Sequence, residues 1–171
     1  GSGDACLEDV IISENAAFKG AGIYCEYYSS PFLKNVSVIN NGIVTYGGGG
    51  IDLRYSSNAL LENVIITGNS GQYGSSAGGM TIVDSAPILQ NVIIANNTGG
   101  ALMFWAASAS GGNPLFQNVT IANNITDYSY PGYTMYFLGY PNTVEFINTI
   151  IWGNTDIWDN NEMFDCSSYG T

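Results

Sequence analysis

Glu8-Asp9-Val10-Ile11-Ile12, Lys34-Asn35-Val36-Ser37-Val38, Glu62-Asn63-Val64-Ile65-Ile66, Gln90-Asn91-Val92-Ile93-Ile94, Gln117-Asn118-Val119-Thr120-Ile121 and Ile147-Asn148-Thr149-Ile150-Ile151 are six versions of one phrase. A second asparagine follows six positions after each Asp or Asn: Asn15, Asn41, Asn69, Asn97, Asn124 and Asn154. The first polar positions recur at intervals of 26, 28, 28, 27 and 30 residues. A fixed period of that size is the signature of a solenoid, in which each repeat buries its apolar side only by stacking on the next.

Within a repeat the apolar period switches to two, in short runs broken by Gly, Ser, Asn and Pro, which is the pattern of short strands and turns. The unit beginning at Gly49 reads Gly49-Gly50-Ile51-Asp52-Leu53, a corner at Tyr55-Ser56-Ser57-Asn58, then Leu61-Glu62-Asn63-Val64-Ile65-Ile66, then a loop from Asn69 to the next Gly-Gly. Three short strands per repeat predict an all-β solenoid of about six coils. Stacking would pair each strand in parallel with its equivalent about 4.8 Å away, so that like sits above like. The inward column of the third strand is then Ile12, Val38, Ile66, Ile94, Ile121 and Ile151, all branched aliphatics suited to a close-packed sheet interior. The first strand contributes Ile23, Ile51, Met80, Leu102 and Met135, with Cys25, Leu53, Ile82, Phe104 and Phe137 two positions on.

Both asparagine columns are expected to face inward. An interior amide without partners costs a few kcal/mol, roughly 2 or more. Stacked amides can donate and accept along their own column, and Asn tolerates the left-handed backbone of a sharp corner.

The repeat leaves room for one domain, spanning residues 1–171, with repeat coils over about 4–160 and an acidic segment over 155–171. Lys19, Lys34 and Arg54 are the only basic side chains against fourteen carboxylates, for a net charge of −11. Phosphate neutralisation has little to work with, so nucleic acid and anionic membrane surfaces are poor partners. No apolar run of about 18 residues suggests membrane insertion, and no leader is visible, although a secreted protein can have lost one. Cys6, Cys25 and Cys166 make an odd count without zinc-type spacing; Cys6 and Cys25 are expected to be small core residues, the competing reading being one internal disulfide with a leftover thiol. Few lysines among many Asn, Gly, Ser, Thr and Tyr fit a secreted or cell-surface chain.

The repeated Ser-Ser-Pro31-Phe32-Leu33-Lys34-Asn35-Val36 and Gly-Gly-Ile units, with Asn148-Thr149-Ile150-Ile151-Trp152-Gly153-Asn154, resemble the right-handed parallel β-helix repeats of large bacterial secreted and surface proteins. The resemblance covers about residues 4 to 160. It implies passenger, adhesive or stalk roles, while other right-handed β-helices are polysaccharide lyases and hydrolases. Those enzymes imply a site of clustered Asp, Lys, Arg or His on the outer face of the first strand. Here that face should carry Tyr24, Asp52, Thr81, Met103 and Tyr136, flanked by Glu26, Arg54, Val83, Trp105 and Leu138. The chain has no histidine, which excludes triads and His-based acid–base chemistry. Glu26 and Asp52 on neighbouring coils form a carboxylate pair of the kind glycoside hydrolysis uses, but Arg54 stacked over Glu26 reads better as a surface ion pair. Tyr24, Asp52, Trp105 and Tyr136 are the candidate carbohydrate-binding residues, because aromatic rings with polar handles suit sugar rings.

No catalytic residue and no cofactor is assigned. Asp156, Asp159 and Glu162 bring hard oxygen ligands together as a weak candidate for calcium, but their spacing matches no EF-hand loop and solvated acidic surface is the preferred reading. Irregular corners lie between Asn97 and Gly100, where the loop is nearly gone, between Phe104 and Pro114, where it is lengthened, and over Tyr128 to Tyr140. The outward face of the third strand, Ile11, Ser37, Ile65, Ile93, Thr120 and Ile150, with Trp152 beside it, is too apolar to be simply wet and is expected to be buried against another subunit or a covering segment, with Ile11, Ile65, Ile93, Ile150 and Trp152 the candidate assembly face. Regular Thr arrays of an ice-binding face are absent. Asn35, Asn96, Asn118 and Asn124 begin glycosylation sequons; with Asn35 and Asn118 expected inward, Asn96 and Asn124 are the candidate glycan sites. No capping helix is visible, so coils could stack end to end. The function these features imply is a non-catalytic extracellular structural or adhesive rod that self-associates into a filament or surface assembly. The alternative is a carbohydrate-active module on the first-strand face.

Overall fold

The structure, a computed structural model, describes residues 4–43, 47–71, 77–108, 112–126, 134–139, 143–156 and, as backbone, 164–168. All regular structure among them is β-strand. In the unit that starts at Gly49 the chain runs through Ile51–Arg54, Leu60–Glu62 and Ile65–Thr67, and each of these strands belongs to a different six-stranded parallel sheet. The three sheets, first, second and third in that order, are the walls of a parallel β-solenoid. Their register joins equivalent repeat positions: Ile12, Val38, Ile66, Ile94, Ile121 and Ile151 fall in one line of Cα partners.

Both predicted core columns form. Ile51, Leu53, Met80, Ile82, Val38, Ile66, Ile94 and Ile121 are fully buried, joined by Leu33, Leu61, Leu89 and Phe116 from the second sheet. Each such aliphatic side chain contributes roughly 1.5–3 kcal/mol on burial. Ile12, Ile23 and Ile151, in the outermost rungs, are partly buried. The Gly-Gly signal has a steric reason. A Cβ on Gly50 would sit 2.5 Å from the Gly79 carbonyl oxygen and 2.8 Å from Ile66, where the returning chain passes tightly over the third sheet.

The corner between second and third sheets is one left-handed residue: Asp9, Asn35, Asn63, Asn91, Asn118 and Asn148 have φ between 49° and 57°. These side chains are exposed, which corrects the expectation that they point inward. The second column points inward as predicted at Asn41, Asn69, Asn97, Asn124 and Asn154, which are buried, while Asn15 in the outermost rung is exposed. In each interior member the backbone N–H and the Nδ2 group both donate to the Oδ1 of the next coil's Asn, as Asn69 does to Asn97 at 2.9 and 3.1 Å. Nδ2 also donates to a carbonyl of the preceding coil, Val38 in that case, at 2.9 Å.

Two further differences concern strand count and chain end. A narrow fourth ladder lies beside the three sheets, with Ala16–Ala17 on Gly42–Ile43, bridges from Gly42 through Ser70 and Thr98 to Ile125, and Ile125–Thr126 on Thr155–Asp156. The acidic C-terminal segment is no appendage, since Phe164–Ser168 pairs with Met135–Gly139 as the sixth strand of the first sheet and sets Cys166 in register with Phe137.

Candidate functional site

On the outer face of the first sheet, strand pairing aligns Tyr24, Asp52, Thr81, Met103 and Tyr136 in one column, and Glu26, Arg54, Val83 and Trp105 in the next. Alternation along each strand dictates this, as the sequence implies. What alternation does not reveal is that the middle of the face is roofed: Asp52, Thr81 and Met103 are buried. At Asp52 and Thr81 the backbone just ahead of the strand is tied to the outward side chain. The Gly48 N–H donates to Asp52 Oδ2 at 3.2 Å, and one coil on the Ala77 N–H donates to Thr81 Oγ1 at 2.9 Å. A Cβ at Gly47, whose φ is 103°, would come within 2.7 Å of the Asp52 carboxylate.

Arg54 pairs with Asp52 on its own strand, Nε to Oδ1 at 2.8 Å, and not with Glu26 as expected; side chains two apart on a strand share one face. Burial pushes the Asp52 carboxyl above the usual carboxylate range, with Arg54 pulling it back down. Beside it, Lys19 Nζ lies 5.8 Å from the centre of the Tyr24 ring. The Tyr24 hydroxyl is buried and makes no hydrogen bond of good geometry. Burial first, then the neighbouring Glu26 carboxylate, hold its proton on well above the usual phenol range. Asp52 is therefore a loop clamp with no surface open to a sugar or to water, which corrects its place among the carbohydrate-binding residues and removes the Glu26–Asp52 pair as a hydrolytic couple. Tyr24 and Tyr136 are half-buried, Trp105 is exposed at the rim, and two roofed rungs separate Asp52 from Tyr136. The four residues do not converge on one open site.

A group of exposed tyrosines lies one corner further on. Tyr27, Tyr28 and Tyr55 are exposed at the turn between first and second sheets, and the Tyr27 and Tyr55 rings stack at 5.2 Å and 18°. All three hold left-handed backbone, φ 54°, 64° and 53°, which is unusual for bulky side chains. The repeat alignment places Tyr27 above Tyr55, but the strain and the stack required coordinates.

The outward face of the third sheet, expected to be buried against another subunit or a covering segment, is open to solvent in the single chain. Ile11 is 72 %, Ile65 40 %, Ile93 42 %, Ile150 61 % and Trp152 71 % exposed, and none of them is buried by the described residues. The second sheet adds an outward column that sequence reasoning passed over, Cys6, Phe32, Leu60, Ile88 and Leu115, with Ile88 exposed. Its signal was present in the apolar residue that precedes Leu7, Leu33, Leu61, Leu89 and Phe116, while Glu145 takes that place before Phe146. Cys6 is thereby exposed on an outer face and not in the core, whereas Cys25 is half-buried in its predicted column, with its thiol pushed up by burial.

The glycan sites also change. Asn96 is exposed, with φ 55°, at the corner after the third sheet. Asn124 is fully buried in the amide ladder, so it is not available to a glycan, while Asn35 and Asn118 are exposed. Of the candidate calcium ligands, Asp156 is half-buried in the fourth ladder, and Asp159 and Glu162 lie outside the described residues. Among the described residues no group of three or more acidic, Cys or His side chains is arranged to hold a metal.

No curated protein and no solved structure matches the chain significantly. The family model described as "Right handed beta helix region" matches residues 1–166, nearly the whole chain. With its parallel sheets stacked coil upon coil and this match along its length, the chain belongs to the right-handed β-helix family.

Proposed function

We propose that this chain is a non-catalytic structural or adhesive rod of a secreted or cell-surface protein that works by associating with copies of itself. The observation that carries the reading is the open third-sheet face. On a chain of net charge −11, its outward columns, from Ile11 to Ile150 and from Ser13 to Trp152, contain no ionisable side chain. Apolar surface of that continuity marks an interaction site. The burial of Asp52 beneath its own loop supports the non-catalytic part of the reading. Sedimentation velocity across a concentration series, with electron microscopy of the same samples, tests it: concentration-dependent growth in mass is expected, and a monomer at every concentration overturns it.

The stacked Tyr27–Tyr55 pair favours a second reading, polysaccharide binding at the corner between first and second sheets. A glycan array should then show a ligand whose binding is lost in Tyr27→Ala and Tyr55→Ala. An array without a hit, or a hit these variants leave intact, removes this reading.

A further inference from the structure

We propose that the third-sheet face seats a second copy of this chain antiparallel to the first, the two rods related by a two-fold axis in the interface along the strand direction. The inference rests on the self-association reading and adds the surface, the partner and the order of rungs. Such an axis keeps position along the strand and reverses the rungs, so each column packs on its own equivalent. The column nearer the Asn63 corner reads Ile11, Ser37, Ile65, Ile93, Thr120, Ile150, nearly the same in both directions. Ile11 would meet Ile150 of the other copy, Ser37 would meet Thr120, and Ile65 would meet Ile93.

The neighbouring column is complementary in size. Trp152 would lie over Ser13, Ile39 over Ala122 and Thr67 over Ala95, so each larger side chain meets a smaller one. The flanks agree in charge, with Asp9 facing Asn148 and Glu14 facing Gly153. A parallel pair, with its axis along the rod, would instead bring the Asp9 flank of each copy over the Glu14 flank of the other and set Trp152 against Ile150 twice. For a chain of −11 the carboxylate opposition decides between the two orders. Six rungs about 4.8 Å apart and about five residues of strand and corner give a patch of roughly 500 Å² per copy, at the lower limit for a specific interface.

Sedimentation equilibrium of the whole chain tests this. The wild type is expected to dimerise reversibly. Ile65→Asp, which places two carboxylates at the interface centre, should weaken the dimer about 100-fold or more with an unchanged far-ultraviolet spectrum. Ile65→Thr, which copies the natural residue at Thr120, should weaken it about 10-fold. Ile11→Asp and Ile150→Lys should each weaken association, and an equimolar mixture of the two should restore it, because only the antiparallel order brings those positions together. A wild type that associates while both Ile65 variants keep its affinity overturns the inference and leaves the self-association reading standing. A mixture no better than its components overturns the antiparallel order. A wild type monomeric at millimolar concentration overturns inference and reading together.

Discussion

Asn91 and Asn97 lie six residues apart in one coil and do unlike work. Asn97 is buried; its N–H and Nδ2 donate to Asn124 Oδ1 at 3.0 and 2.9 Å, Nδ2 also donates to the Ile66 carbonyl at 3.0 Å, and its Oδ1 accepts from Asn69. Asn91 is exposed at φ 57°, in a chain of single amide bonds to Asn63 and from Asn118, each 3.2 Å long. The inner column exists for hydrogen-bonding valence, the outer one for a backbone conformation. The two columns also run in opposite directions: inner amides donate toward the C-terminal coils and outer ones toward the N-terminal coils. Asp9 sets the outer direction, because a carboxylate only accepts and Asn35 must therefore donate to it, at 2.8 Å.

Four substitutions break or sharpen this contrast. Asn97→Ala strands the donors of Asn69 and the Ile66 carbonyl, and is expected to cost on the order of 3–5 kcal/mol in chemical denaturation, with Asn97→Gly no milder. A well-tolerated glycine there would mean that the inner column is conformational after all. At Asn91 the order should invert: Asn91→Ala should cost about 1 kcal/mol and Asn91→Gly roughly half that or less, because glycine takes positive φ freely. The natural Gly68 and Gly153 in the corner after the third sheet already show the exchange, with Asn40, Asn96 and Asn123 in the equivalent positions at similar φ.

A pH-dependent effect comes next and carries the contrast to charge. Because burial raises the Asp52 carboxyl above its unfolded value, the folded state keeps that proton longer. The stability due to Asp52 is then present below the ordinary carboxylate pKa of about 3.9 and declines as pH rises toward the raised value. Melting curves of wild type and Asp52→Asn across that window should show the variant gaining on the wild type with rising pH, and a gain in the opposite direction would mean that Arg54 outweighs burial. The smallest effect is expected for Asn35→Asp, which sets two acceptors against each other at the outer ladder's start. About 0.5 kcal/mol should be lost, and salt should recover part of it.

Much of the fold was legible because stacking makes period and register the same thing. Once Asn63 and Asn91 are equivalent in the repeat, Ile66 must lie over Ile94, and the core columns follow without coordinates. The apolar make-up of the outward third-sheet columns was legible for the same reason. The outer fate of Asn35 and Asn118 was not, because an Asn at a corner satisfies the same sequence pattern whether it is chosen for its amide or for its φ. Asp52 was misread because alternation places it outward while a loop from its own coil closes over it, and Arg54 turned to that buried carboxylate in preference to Glu26.

The repeat alone, then, dictates coil, register and core, since a side chain that recurs at the same phase in stacked parallel strands has no other neighbour than its own equivalent. Exposure and charge pairing on the outside were decided only by the folded chain. Loops between coils answer to no period, and whether one of them roofs a given rung depends on backbone geometry that the strand pattern does not encode.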